Sequence, residues 1–351
     1  MELSRPPRDH WYIAAASVEL GRRPLACVVL GEPLVLFRDA DGRPAALLDR
    51  CAHRNMALSA GRVAGGCIEC PYHGWRYDRA GRCTGIPAAD GAGAAPAVPR
   101  VRAYQATESD GYVWVFAGEG PAPRAPFRFP HLREPGWTSF RMRTRFTASA
   151  VACLENFLDC PHTVFVHRGL FRARDARPLR ARVRRYADRV EADFVDEAPA
   201  RSVVSALFFP RAGRLTHTDR FMLPAISRVD YRFGPDRHFI ITSQCTPVSD
   251  EETDVHTVVT FRTGRVGPLV RLLLEPICRR IIRQDVLILA RQTAQLRGFG
   301  GPRFTVVETD LFVRHINALW RRAASPAPDA PPAEASVAAA AEVETEVGIR
   351  F

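Results

Sequence analysis

The chain contains no lysine. All 49 of its basic side chains are arginine, against 38 acidic ones, for a formal net charge of +11. It also lacks any apolar run near the ~20 residues that a bilayer crossing needs. The segment Met1-Glu2-Leu3-Ser4-Arg5-Pro6-Pro7-Arg8-Asp9-His10 holds no apolar core of a secretory signal. The expectation is no membrane attachment and a cytoplasmic location. The arginines are scattered, whereas a nucleic-acid binder gathers them on one helix or arm. The densest group is Arg177, Arg180, Arg182, Arg184 and Arg185, and its last members alternate as on the solvent face of a strand. Nucleic acid is therefore not an expected partner, although a basic surface suits long-range steering of an acidic protein. Nine cysteines form an odd set that does not suit a fully paired disulfide framework, which points to a reducing compartment.

Two of those cysteines carry the strongest signal. Cys51-Ala52-His53 and Cys70-Pro71-Tyr72-His73 are separated by the sixteen residues Arg54 to Glu69. Cys-x-His, a loop of that size, then Cys-x-x-His is the ligand spacing of a Rieske [2Fe–2S] centre. Two thiolates hold one iron and two imidazoles the other, which raises the reduction potential above that of an all-cysteine ferredoxin. Zinc also takes mixed cysteine and histidine ligands, but its fingers favour paired cysteines followed by paired histidines. Pro71 lies within the second pair and Gly74 directly follows it, in the ligand loop where backbone N–H groups can approach sulfide. Cys67 makes a formal Cys-x-x-Cys with Cys70, but Cys70 is committed to the cluster. Cys67 and Cys83 are expected to pack as small apolar residues.

At 351 residues, 46% of them hydrophobic, the chain is long enough for two cores. Short apolar runs such as Pro33 to Phe37 and Tyr112 to Phe116 read as strands, with turns at Asp39-Ala40-Asp41-Gly42 and Asp78-Arg79-Ala80-Gly81. This small β domain, which carries the cluster, is expected over residues 1–122. A Pro- and Gly-rich stretch, Gly118 to Pro126, marks its end. From Ser139 alternating strands recur, including Ser202 to Phe209, His238 to Cys245 and Val255 to Arg262. Helical segments interrupt them at Ala148 to about Val166 and Leu269 to about Leu296. The expected fold class is α+β, with an antiparallel sheet and packed helices forming a second domain over 123–322. Residues 323–351 are expected to be a low-complexity, disordered tail, with Val343 to Phe351, which regains some apolar character, read as a loose end in preference to a docked one.

The second domain holds another constellation. Asn156-Phe157-Leu158-Asp159-Cys160-Pro161-His162 is followed by His167. On a regular helix two histidines five apart diverge by about 140°. Pro161 breaks that regularity and allows convergence. Further on, Ile277, Ile281, Asp285, Ile288 and Gln292 fall within a stripe of about 80° on one helix. A carboxylate on an apolar stripe needs a cation or a metal. Arginine pairing is one reading of Asp285. The other joins it to His162 and His167 as the two-histidine, one-carboxylate triad of non-haem Fe(II) oxygenases.

With these residues in place the chain resembles a Rieske non-haem iron oxygenase, terminal oxygenase component, from residue 10 to about 320. Cys51-Ala52-His53-Arg54, Cys70-Pro71-Tyr72-His73-Gly74-Trp75, Asn156-x-x-Asp159-x-x-His162-x₄-His167 and Asp285 carry the likeness in order and spacing. The compact length resembles the homotrimeric branch that includes vanillate O-demethylase-like and saxitoxin-pathway-type hydroxylases. The resemblance implies a [2Fe–2S] cluster on Cys51, His53, Cys70 and His73, and a mononuclear Fe(2+) on His162, His167 and Asp285. It implies that the cluster of one subunit feeds the iron of its neighbour in a homotrimer. Asp159 then bridges His162 to the neighbour's cluster, and Asn156 lies near the iron, with helix packing as its other reading. The implied activity is an O₂-dependent monooxygenation, hydroxylation or oxidative demethylation of a small organic substrate. Electrons come from an NAD(P)H-dependent flavin reductase, directly or through a ferredoxin. Arene cis-dihydroxylation is the rival within the class, and a Rieske electron carrier without catalysis the rival outside it. A respiratory Rieske protein needs a disulfide across the ligand loops, where this chain has Met56 and Tyr72. Phe208, Phe209, Phe221, Met222 and Phe239 are candidate pocket walls or simply core.

Overall fold

The computed structural model describes residues 5–89, 99–168, 170, 179–195, 197, 215–324 and 340–349. The chain divides into two compact units, Arg8–Arg128 and a unit from Phe129 onward, against the expected boundary at 122. No helix among the described residues is long and apolar enough to cross a membrane.

The first unit is built of small antiparallel sheets. One runs Leu25–Val29, Glu32–Arg38, Pro44–Leu48, Ala103–Tyr104, and another Arg62–Ala64, Cys67–Glu69, Arg76–Tyr77, Cys83–Gly85. The two expected turns share one device. Asp39 Oδ1 accepts from the N–H groups of Asp41 and Arg43, and Asp78 Oδ1 accepts from those of Ala80 and Arg82. The core joins Val35, Phe37, Leu47, Leu58, Ile68 and Tyr77, and Cys51 and Cys70 belong to it.

The second unit is dominated by an eight-stranded antiparallel sheet. Its strands are β1 (Thr138–Phe146), β2 (Leu179–Arg185), β3 (Arg189–Val195), β4 (Leu215–Met222), β5 (Ile226–Phe233), β6 (Arg237–Ser249), β7 (Glu252–Arg262) and β8 (Val343–Ile349). Their spatial order is β1-β7-β6-β5-β4-β3-β2-β8. The helices are α1 (Ala150–Leu158), α2 (Thr163–Val166), α3 (Gly267–Gly298) and α4 (Val313–Ala324). Ser149 caps α1 by accepting from the N–H of Ala152. Leu274 and Cys278 of α3 pack on Phe140, Phe239 and Phe261 of the sheet. Trp320 of α4 donates its indole N–H to the Pro224 carbonyl at 2.6 Å. α4 was not expected from the sequence.

Arg180 and Arg182 lie on the exposed face of β2, as the alternation implied, while Arg177 and the expected strand Ser202 to Phe209 lie outside the described residues. The C-terminal end differs from expectation. Val343–Ile349 is not a loose tail but β8, paired with β2 from Leu179↔Ile349 to Arg185↔Val343. Ile349 is buried, and Glu346 and Glu344 make diagonal ion pairs with Arg180 and Arg182 of β2. Residues 325–339, within the expected low-complexity tail, lie outside the described residues.

Candidate metal centres and active site

In the first unit the two ligand loops repeat one geometry. Cys51 N–H donates to the Met56 carbonyl and Cys70 N–H to the Trp75 carbonyl, each at 2.8 Å. Four residues after each cysteine, Asn55 and Gly74 have φ of 60° and 70° and donate back to the cysteine carbonyl. The thiols of Cys51 and Cys70 are buried, while His53 and His73 are exposed with ring centroids 4.5 Å apart. Trp75 stacks on His53 at 4.5 Å and 6°. Burial pushes the Cys70 thiol up, so a thiolate there needs a bound cation. Tyr77, which the sequence reading missed, places its hydroxyl 3.3 Å from Cys51 Sγ. The residues thus fit a cluster with a buried sulfur end and an exposed imidazole end. All nine cysteines are free thiols, and Cys67 and Cys83 are partly buried.

In the second unit His162 and His167 flank the single turn α2, one at each end. Their Nε2 atoms come within 3.3 Å of each other. Asp285 Oδ1, from α3, lies 3.0 Å from His167 Nε2 and 3.6 Å from His162 Nε2. That oxygen is buried yet accepts no well-angled hydrogen bond. Two imidazole nitrogens and a carboxylate oxygen therefore converge on a shared point, which fits a divalent cation. Burial opposes ionisation of Asp285, but the two imidazoles outweigh it and hold the carboxyl below its ordinary value. Each imidazole is oriented from behind. His162 Nδ1 faces the main-chain carbonyl of Asp159, and His167 Nδ1 donates to Gln284 Oε1 at 2.9 Å.

Three details differ from the sequence reading. The Asp159 carboxylate was expected to bond His162, but it stands 3.7 Å away and the residue's carbonyl takes that role. The buried stripe of α3 runs through Leu274, Cys278, Asp285, Leu289 and Thr293, and Ile288 is 40% exposed. Gln284 was missed. Its only sequence signal is an amide beside a carboxylate that itself sits on a buried face.

The three converging residues open onto a cavity of about 100 Å³. Its apolar wall includes Met142, Phe157, Tyr231, Ile241, Val259 and Ile281. A larger cleft of about 810 Å³ is also lined by His162, together with Glu155 and the C-terminal half of α3. Asn156 and Asp159 line both, and Asn156 Oδ1 is buried with no hydrogen-bond partner. Phe221 and Phe239 are core residues and Met222 does not line either space. Phe208 and Phe209 lie outside the described residues.

A β unit with a Cys-x-His and Cys-x-x-His loop pair, followed by a sheet-and-helix unit with a two-histidine, one-carboxylate point, defines a two-centre redox protein. Residues 10–105 match the Rieske [2Fe-2S] domain, and residues 146–326 match the vanillate O-demethylase oxygenase C-terminal domain. The chain belongs to the Rieske oxygenases that carry this C-terminal domain. It is 36% identical over 164 residues to the oxygenase component of dicamba O-demethylase from Stenotrophomonas maltophilia, covering 46% of this chain and 48% of that one. It is 29% identical over 310 residues to chloroplastic chlorophyllide a oxygenase from Chlamydomonas reinhardtii, covering 85% of this chain and 45% of that one. The chain thus spans about half the length of these curated relatives. The crystal structure of dicamba monooxygenase bound to dicamba superposes with a TM-score of 0.76 at 26% identity, covering 90% of this chain and 97% of that one. NdmB of Pseudomonas putida CBB5 shares the fold with a TM-score of 0.73 at 22% identity, covering 90% of this chain and 91% of that one.

Proposed function

We propose that the protein is the terminal oxygenase of a multicomponent monooxygenase, hydroxylating or oxidatively demethylating a small organic substrate. The observation that carries this reading is the convergence of His162, His167 and Asp285 beside an apolar cavity, in a chain that also holds a Rieske ligand set. Cys51, His53, Cys70 and His73 are the proposed cluster ligands, and His162, His167 and Asp285 the proposed iron ligands. When bound, the two groups supply electron storage and activation of O₂.

The chain supplies the rest. The Asp159 carbonyl and Gln284 fix the imidazole tautomers, so both Nε2 lone pairs face the shared point. His162, His167 and Asp285 would hold the iron by three ligands and so would leave further positions open for O₂ and substrate. The apolar wall excludes water from that side. The exposed edge formed by His53 and His73 is the proposed route for electrons, from a ferredoxin or flavin reductase and on to a neighbouring subunit. The assembly proposed is a homotrimer in which Asp159 lies at the junction, and the location proposed is the cytoplasm.

The test is a single turnover. Anaerobically reduced protein is mixed with ¹⁸O₂ and a panel of aromatic acids, sterols and amines, and products are weighed. One incorporated oxygen atom, or loss of a methyl group, is expected, while two atoms would indicate cis-dihydroxylation. His162→Ala should keep the Rieske EPR signal and form no product. Product from that variant overturns the reading. Co-assembly of Cys51→Ser with His162→Ala subunits should restore part of the activity, and a monomer on light scattering defeats the trimer.

A further inference from the structure

The sheet wall of the small cavity carries a row of hydroxyls. Ser227 of β5 stands directly opposite Ser243 of β6, and Ser243 directly opposite Thr257 of β7. All three are buried, and all three line the cavity that His162, His167 and Asp285 also line. The register extends the row to Met142 of β1 on one side and Phe221 of β4 on the other. Two residues along each strand, the next row on the same face is Val229, Ile241 and Val259. Alternation thus sets a stripe of three hydroxyls into an otherwise apolar wall.

Each hydroxyl has one proton to give and two lone pairs. Ser243 Oγ and Thr257 Oγ1 lie 2.9 Å apart, so one proton serves that pair and the other is left over. The Ser227 hydroxyl makes no hydrogen bond among the described residues, and the other two make none beyond their own. When Thr257 donates, the spare proton is on Ser243, beside that of Ser227. Directly opposed positions hold their Cβ atoms about 4.5–5.5 Å apart, within reach of a single shared acceptor. In an empty cavity water meets these protons, and a substrate that displaces the water must replace its hydrogen bonds.

Other polar groups of the cavity are engaged. Thr163 Oγ1 donates to the Cys160 carbonyl at 2.7 Å. Asp219 is met by His217 Nε2 at 2.8 Å and Cys160 Sγ at 3.5 Å, and His217 by Glu197 on its other nitrogen. Among the described residues no arginine lines the cavity. Beyond the metal point, an anionic group would therefore meet the carboxylates of Asp159 and Asp219 without a cationic side chain to offset them.

We propose that Ser227 and Ser243 are substrate-positioning hydroxyls, and that the substrate is a small neutral molecule whose carbonyl or ether oxygen accepts from both. The assignment rests on the terminal-oxygenase reading and names its substrate class. One oxygen takes a proton on each of its two lone pairs, and the apolar remainder lies along Val229, Ile241 and Val259. Two donors from neighbouring strands fix a direction as well as a distance, so the bound molecule presents one part of itself to the metal point.

The test uses anaerobic holoprotein and three probes of similar shape: acetophenone, α-methylstyrene, in which a methylene replaces the carbonyl oxygen, and benzoate. Dissociation constants are measured by calorimetry. Acetophenone should bind roughly tenfold more tightly than α-methylstyrene, as two neutral hydrogen bonds allow, and benzoate most weakly. Ser227→Ala should reduce that preference to roughly threefold, and Ser227→Ala combined with Ser243→Ala to about one, with α-methylstyrene bound as before. The first substitution removes a hydroxyl without a protein partner, so the fold and the Rieske spectrum should be unchanged. No preference for acetophenone, whether the probes bind alike or none binds, overturns the proposal. So does benzoate binding most tightly, or an unchanged ratio in folded Ser227→Ala. Iron is counted in the same samples. A full complement of iron with no preference for the carbonyl defeats only the substrate assignment, whereas a protein that takes up no mononuclear iron defeats the oxygenase reading.

Discussion

Gln284 accepts a hydrogen bond from His167 Nδ1 at 2.9 Å, one residue before Asp285 on the same helix. One turn of α3 thus contributes a carboxylate to the proposed metal point and, through its neighbour, the orientation of a histidine. Replacing Gln284 by Leu should leave the fold and the cluster intact but free the imidazole to rotate. Outer partners of this kind are worth roughly 10–100-fold in metal affinity. Titration with Fe(II), read by metal analysis after gel filtration, should show a loss of that order with an unchanged Rieske EPR signal. Unaltered iron retention would mean that packing alone holds His167.

Asp159 separates two roles that its side chain was expected to combine. Its carbonyl faces His162 Nδ1, and its carboxylate stands 3.7 Å off and 40% exposed. Asp159→Asn keeps the carbonyl, so mononuclear iron should bind as in the parent. What it loses is a carboxylate able to accept charge-assisted hydrogen bonds from a second donor. Oxidation of the prereduced cluster by O₂, followed by stopped flow, should slow by at least tenfold. A normal rate would remove the carboxylate from the electron path.

Glu155 gives a pH test. Burial, with Asp310 and Asp159 adding, pushes its carboxyl up to about 8 from 4.5, and its Oε1 has no hydrogen-bond partner. The folded state therefore holds a proton that the unfolded chain releases near pH 4.5. That contribution is complete below the unfolded value and fades as pH rises through about 8. Glu155→Gln should thus be more stable than the parent at pH 8 by roughly 1–3 kcal/mol, after allowing for local relaxation, relative to their difference at pH 4.5. Parallel melting curves across that window would show that Glu155 is ionised when folded.

Ending the chain after Ala324 should be destabilising. It removes β8, buries Ile349 no longer, and leaves the seven paired residues of β2 as an open edge. Ile349 alone accounts for about 2 kcal/mol, and the surface ion pairs of Arg180 and Arg182 add little. A melting temperature lower by several degrees and a tendency to associate through β2 are expected, by scanning calorimetry and light scattering. A truncated chain that melts with the parent would show that β8 contributes nothing to the sheet.

Local patterns in the chain specify the chemistry. The proposed cluster ligands Cys51, His53, Cys70 and His73 are recognisable from spacing because each pair lies within one short loop, whose turn geometry depends on neighbours in sequence. The twin Asp-x-x-Gly turns and the alternation of Arg180 and Arg182 are likewise local, and they stand as written. His162 and His167 are near in sequence, but only the break at Pro161 and the short turn α2 bring their Nε2 atoms together. Asp285 lies more than a hundred residues further on, and its face of α3 was set by packing of Leu274 and Cys278 on the sheet, with Ile277 and Ile281 at its margin and Ile288 turned outward. β8 was hidden because its alternation is mostly polar, and an edge strand of that kind forms only when β2 offers it hydrogen bonds and facing arginines. Glu197, the β4 pair His217 and Asp219, and Cys160 come from three separate places in the chain. Beyond the alternation that puts His217 and Asp219 on one face of β4, no spacing rule connects them, so their meeting was decided by strand order and by the packing of one imidazole between two aromatic rings.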